Sequence, residues 1–167
     1  NLGIEPRFRQ AYELFGEEHV FSGGSMVFFS HSPREESRGA HPSADVGALR
    51  KSNSRDLWYF SVFLENLFRF KKLSVTPGVR LEHIWQRVAE KVNLDKTTVP
   101  LADEKRFDFV PLFAIGIAYE IYEAIDLYAN ISQSYRPKVF ADTVPTGTNQ
   151  VVDSDLEAGS GVQYDFG

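Results

Sequence analysis

The sequence contains no cysteine, which excludes disulfides and thiolate metal sites and selects no compartment. It also lacks any run approaching the ~20 consecutive apolar residues of a transmembrane helix. There is no basic run. Lys and Arg number 18 against 23 Asp and Glu, for a net charge of −5, so nucleic acid is not expected as a partner. No Gly-rich phosphate loop joins a strand to a helix, and no nucleophile elbow or local Ser–His arrangement occurs. No catalytic residue, enzyme activity or cofactor is therefore expected. The four histidines, His19, His31, His41 and His83, lack metal-ligand spacing, so no metal site is expected either. No signal peptide is present, and the chain opens abruptly at "NLGIEPRFRQ", as a mature product or a fragment does.

Aromatic residues, by contrast, are plentiful: fourteen Phe, seven Tyr and two Trp bring the share to 14%. Many aromatics without a long apolar run suit a β-barrel, whose membrane signal lies in alternation rather than in average hydropathy. Strand-like stretches come in pairs. Ile4 to Leu14 alternates Ile4, Pro6, Phe8 and Tyr12 against Glu5, Arg7, Arg9 and Glu13. A short break at 16–18 leads into His19–His31, followed by a polar, aperiodic stretch over 32–54 read as a loop. Asp56–Phe70, with Trp58, Phe60, Val62, Leu64 and Phe68 on one face, is joined by Lys71-Lys72 to a strand from Leu73 to about Val88. Within "RLEHIWQRVAEKVNLDK", Leu81, Ile84, Trp85, Val88 and Val92 fall at helical spacing, so the strand is assigned only through Gln86.

The third pair alternates most clearly. Phe107, Phe109, Pro111, Phe113, Ile115, Ile117, Tyr119 and Ile121 share one face; Asp108, Val110, Leu112, Ala114, Gly116, Ala118 and Glu120 share the other. A tight break at 123–125 precedes Asp126–Arg136, a loop follows over 141–154, and a seventh strand-like run covers Leu156–Phe166. Strand, short turn, strand, long loop, three times over, is the rhythm of an outer-membrane barrel. The fold expected is all-β: an antiparallel, up-and-down transmembrane β-barrel segment of about seven strands, which is an incomplete barrel. Trp58, Tyr59, Trp85, Phe107, Phe109, Tyr119 and Tyr122 are expected to anchor it at the two membrane interfaces. Core packing in a soluble antiparallel sheet is the competing account.

Three stretches carry a family likeness. "LYANISQSYRPKVFAD" (127–142), "SDLEAGSGVQYDFG" (154–167) and "LSVTPGVRLEH" (73–83) resemble strands of the TonB-dependent outer-membrane receptors, in matching order and spacing. "GIEPRFR" near the start is similar to the ferric-citrate and siderophore branch. Ala158 and Val162 depart from the family pattern, which has Pro and an aromatic residue there. The resemblance implies a 22-stranded barrel filled by an N-terminal plug. Seven strands cannot close it, so residues 1–167 are expected to be a partial barrel domain, with plug, TonB box and last strands lying elsewhere. It further implies a Gram-negative outer-membrane location. The implied partners are the bilayer, the receptor's own plug, the TonB energy-coupling complex acting through that plug, and a scarce solute such as a ferric siderophore or ferric citrate.

Counting from Asn130, Ser132 and Ser134 puts Arg136 on the polar face near the outer end of its strand, and Arg80 and Glu82 are inward by the same parity. Such arginines can bind carboxylates of an anionic chelate, or form lumenal salt bridges to a neighbouring strand or the plug. Pro137 should end regular pairing. Two other readings remain open at this point: a small structural or adhesin-like outer-membrane barrel, and a soluble β-domain that binds a ligand.

Overall fold

The computed structural model describes residues 1–96, 100–138 and 158–167. The described residues form one antiparallel sheet of β1 (Leu2–Ile4), β2 (Arg7–Leu14), β3 (Glu17–Arg38), β4 (Ala48–Phe70), β5 (Leu73–Asn93), β6 (Asp103–Tyr122), β7 (Ile125–Arg136) and β8 (Gly159–Phe166). Neighbours in sequence are neighbours in the sheet. Both β1 and β2 pair with β3 in one continuous register, Ile4 opposite Val27 and Arg7 opposite Gly24. They are a single run interrupted at Glu5-Pro6, where Pro6 lacks an N–H but its carbonyl still accepts from the Ser25 N–H at 3.1 Å. The sheet is therefore eight strands by hydrogen bonding and seven strands wide. It is up-and-down and not closed.

Tight turns gather at one end. Phe15 (φ 57°) and Gly16 (φ 78°) make a two-residue turn with both residues left-handed, the type I′ geometry that suits the twist of a hairpin. Lys71-Lys72 and Glu123-Ala124 make the other two, and Lys71 also has a positive φ of 56°. The longer connections, between β3 and β4, β5 and β6, and β7 and β8, leave and rejoin the strands at the opposite end.

Two expectations are corrected. Residues 32–54 are a loop only over 39–47: β3 continues to Arg38 and β4 begins at Ala48, paired from Ser32–Arg55 out to Arg38–Ala48. Both faces of this extension carry polar residues, so no apolar alternation marks it, and the backbone ladder runs through it. The helical spacing over 81–92 does not make a helix either. β5 runs to Asn93, hydrogen-bonded on one side to β4 and on the other to β6. Ladders run along both flanks of that stretch as far as Ala89, which outweighs a weak local pattern. The expected loop over 141–154 and the start of the seventh run at Leu156 lie outside the described residues.

Among the described residues the sheet has no second layer and almost no core. Val20, Ile84 and Val88 are the buried hydrophobic residues among those described, whereas Phe107, Phe113, Leu127 and Trp58 are each more than half exposed. A soluble sheet would bury that surface against another layer. Here it forms one continuous apolar face. β3 to β6 are 20 to 23 residues long, about twice the ~9–11 residues that a tilted strand needs to cross a bilayer. The surplus projects past the membrane on the long-loop side.

Candidate functional site

Register fixes which side chains share a face. Trp58 is opposite Trp85, and Trp85 is opposite Phe107; Phe29 is opposite Trp58 on the other flank. This row forms an outer aromatic belt, with Phe29 and Trp58 rings 4.5 Å apart. One step nearer the turns lie Phe60, His83 and Phe109, with the His83 and Phe109 rings 4.7 Å apart. His83 is thus an aromatic-belt residue, a role its isolated position in sequence did not reveal. At the turn end Tyr119 lies opposite Leu73, and Tyr122 pairs with Ile125 after a bulge at Ile121, which keeps it on the Leu127 side. From Trp58 to Phe70 is roughly a dozen residues, or about 30 Å across the membrane at the tilt of barrel strands. That matches a hydrocarbon core with an aromatic belt at each interface.

Tyr59 departs from the expectation that it anchors the interface. Adjacent strand residues point to opposite faces, so Tyr59 cannot share the belt of Trp58. It faces inward and donates to Glu82 Oε1 at 2.9 Å, while Arg80 Nη2 donates to the Tyr59 oxygen at 3.2 Å. Arg80 Nε lies 3.0 Å from Glu82 Oε1. Arg80 and Glu82 are therefore brought together, with a tyrosine as the third member. Beside them on β6, Arg106 Nε contacts Asp108 at 2.7 Å. Tyr135 of β7 hydrogen-bonds Arg106 and lies within electrostatic reach of Asp108 and Glu82. This inward band sits level with the outer aromatic belt, at the mouth of the lumen.

Arg136 does not join it. β7 leaves β6 beyond the Ala114–Ser132 pair, and the Gln133 side chain takes over by accepting from the Phe113 N–H at 3.1 Å. Tyr135, not Arg136, reaches the band. Arg136 is exposed, its side chain makes no hydrogen bond or ion pair among the described residues, and β7 ends at it, before Pro137. Closer to the turns the inward face is small and polar: Ser74, Thr76, Gly78, Ala114, Asn130 and Ser132 line a trough of about 490 Å³. A Cβ at Gly116 would lie 2.7 Å from Asn130 Oδ1, so the Asn130 side chain would have to shift to admit one. Among the described residues no three His, Asp or Glu side chains converge as a metal site needs.

Beyond the belt, acids tie the 94–102 connection to the sheet. Glu90 accepts from Lys96 Nζ at 2.5 Å and from the Ala102 N–H and Asn93 Nδ2, both at 2.9 Å. Asp95 accepts from Arg50 at 2.6 Å and Lys51 at 3.0 Å. Burial would raise the Glu90 carboxyl, but the bonds from Lys96, Ala102 and Asn93 outweigh it and hold it below the usual carboxylate range. Lys51 and then Arg50 do the same for Asp95. A depressed folded-state pKa stabilises above the unfolded value and is lost as pH falls through the folded one. The connection should therefore stay held from neutral pH to about pH 4 and loosen below it. Glu90→Gln should speed hydrogen exchange at the Ala102 amide at least about fivefold at pH 7; an unchanged rate would show that Glu90 does not hold the connection.

One face built for lipid between two aromatic belts, and one lined with paired charges and small polar residues, define a segment of transmembrane β-barrel wall. The chain belongs to the TonB-dependent receptor-like β-barrel family, whose model matches residues 2–167. Among solved structures, the ferric citrate transporter FecA in its unliganded form superimposes with a TM-score of 0.69 at 20% identity, covering 80% of this chain and 20% of that one. The ferric-catecholate import receptor Fiu from K12 E. coli, in a closed form, gives a TM-score of 0.75 at 13% identity, covering 98% of this chain and 28% of that one. The chain thus spans 20% to 28% of the length of these relatives. No curated protein matches it.

Proposed function

We propose that the chain is part of the barrel of a Gram-negative outer-membrane active transporter driven through TonB, taking up a ferric siderophore or ferric citrate. The family match over residues 2–167 carries this reading, and the iron uptake named for FecA and Fiu supports its substrate class. The barrel's share is passive. The outer extension and its loops capture solute, the inward face holds the receptor's own plug domain, and Trp58, Trp85, Phe107, Phe109, Tyr119 and Tyr122 fix the wall in the bilayer. The small-residue trough suits close approach of the plug, and the Tyr59–Glu82–Arg80 band sits where solute would pass. Energy arrives through the plug from the TonB complex. No bond is made or broken, so neither an enzyme activity nor a cofactor belongs to this reading.

Within this reading the inward band supplies the solute contact. In the full-length receptor, Arg80→Ala should weaken binding of the transported chelate about tenfold, the value of one charge-assisted hydrogen bond. The experiment is tryptophan quenching on the full-length receptor, titrated with iron chelates, cobalamin and glycans. Quenching by an iron chelate supports the reading; a response confined to cobalamin or glycans removes the iron assignment.

A further inference from the structure

One step beyond the outer aromatic belt, the lipid-facing side of the sheet changes character. The belt runs through Phe29, Trp58, Trp85 and Phe107 on four adjacent strands. Two residues further out on those strands stand His31, Asp56, Arg87 and Lys105, each directly opposite the next. A step of two residues keeps the face of a strand, so this second row points outward as the belt does. A row just past an interfacial belt lies at the depth of the lipid headgroups.

Two members of the row answer each other: His31 Nδ1 lies 2.6 Å from Asp56 Oδ1. The other two do not. Arg87 and Lys105 are like charges directly opposite one another, an unfavourable arrangement on a sheet. Asp103, two residues beyond Lys105 on the same face, is bonded to one of them. Its two oxygens accept from Arg87 Nε and Nη2, both at 2.8 Å. That fork leaves the Nη1 side of the guanidinium for a second acceptor. Lys105 is within electrostatic reach of Asp103, yet it is exposed and makes no hydrogen bond or ion pair among the described residues. Glu104, its neighbour in sequence, faces the lumen side. The fold thus holds an unneutralised ammonium beside a partly engaged guanidinium, on the surface that meets lipid.

We propose that Lys105 and the open side of Arg87 bind the phosphate of an outer-leaflet lipid, with Trp85 and Phe107 beneath them against its acyl chains. The phosphate supplies the negative charge that Asp103 alone does not, through charge-assisted hydrogen bonds. The inference rests on the membrane orientation of the wall and not on the solute transported. The test is native mass spectrometry of the full-length receptor in nonionic detergent, titrated with phosphatidylglycerol or phosphatidylcholine, with inorganic phosphate as competitor at constant ionic strength. The wild type should bind phosphatidylglycerol saturably and more tightly than phosphatidylcholine. Lys105→Gln should weaken a phosphatidylglycerol site about tenfold, and Lys105→Arg should keep most of the binding. Lys71→Gln, at the turn end of the wall, should change nothing. Equal phosphatidylglycerol binding by Lys105→Gln overturns the site, as does a loss that Lys71→Gln matches, which is bulk charge alone. Equal binding of the two lipids by the wild type also overturns it. Lys105-dependent binding of inorganic phosphate that phosphatidylglycerol does not displace assigns a free anion and removes the lipid. Lys105-dependent lipid binding in a receptor that takes up no ferric chelate keeps the site and removes the iron reading. Uptake of a ferric chelate without such lipid binding does the opposite.

Discussion

Ile115→Arg in the full-length receptor should lower the unfolding free energy of the barrel by about 2–4 kcal/mol, the cost of an arginine on the lipid face near the bilayer midplane. Ile115 lies about midway between the two aromatic belts. Its cross-strand partners on that face are Pro77 and Ile131, and it is 41% exposed. A guanidinium placed there meets no acceptor and has hydrocarbon on its open side. Val110→Arg, on the other face of the same strand, should cost less than about 1 kcal/mol. It would stand directly opposite Glu82 and two residues from Asp108, so both carboxylates can receive it. Urea unfolding from phospholipid vesicles, followed by tryptophan fluorescence, measures both variants. Equal losses would mean that the two faces do not differ as lipid and lumen, and the membrane orientation of the whole sheet would fall.

That contrast marks where the sequence was informative. Between the belts each residue must suit either lipid or lumen, and the Phe107–Tyr119 alternation follows directly from that demand. Past the belt both faces meet water, so nothing in "SPREESRGAHPSADVGALRKSNS" records that Ser32–Arg38 and Ala48–Arg55 pair. The same blindness hid the Arg87–Lys105 neighbourhood, which exists only through register. Arg80 and Glu82 were legible as inward by parity, but their union with Tyr59 was not, because Tyr59 beside Trp58 reads as one more belt aromatic. Tyr135 took the place expected of Arg136 because β7 departs from β6 at Gln133, a local break that alternation cannot foresee. His83 and His19 were passed over for lack of metal-ligand spacing, although each is placed by its cross-strand neighbours.

His19 has the second large expected effect. It is 0% exposed, and it sits where the β3–β4 ladder stops: Val20 is the last β3 residue paired with β4 at this end, opposite Leu67. Below that pair the imidazole substitutes for backbone. Its Nδ1 accepts from the Arg69 N–H at 3.0 Å, so its Nε2 carries the proton and donates to the Leu14 carbonyl at 2.9 Å. The ring thereby stitches the end of β2, just before the Phe15-Gly16 turn, to β4. Tyr12, Phe68 and Phe70 surround it with ring centroids 5.3 to 5.8 Å away. His19→Phe keeps most of that packing and removes both hydrogen bonds, leaving a backbone donor and a backbone acceptor without partners in a buried site. At about 1–3 kcal/mol for each stranded group, the loss should be about 2–4 kcal/mol, with exchange at the Arg69 amide sharply faster. His19→Gln, whose amide offers one acceptor and one donor, should retain part of the stability and part of that protection. The two variants separate packing from hydrogen bonding: if Phe is tolerated and Gln is not, the ring's contacts carry the site and the stitching role is wrong. If Phe fails and Gln partly rescues, a single imidazole holds the first turn of the wall to its third strand by replacing ladder bonds that the backbone does not make.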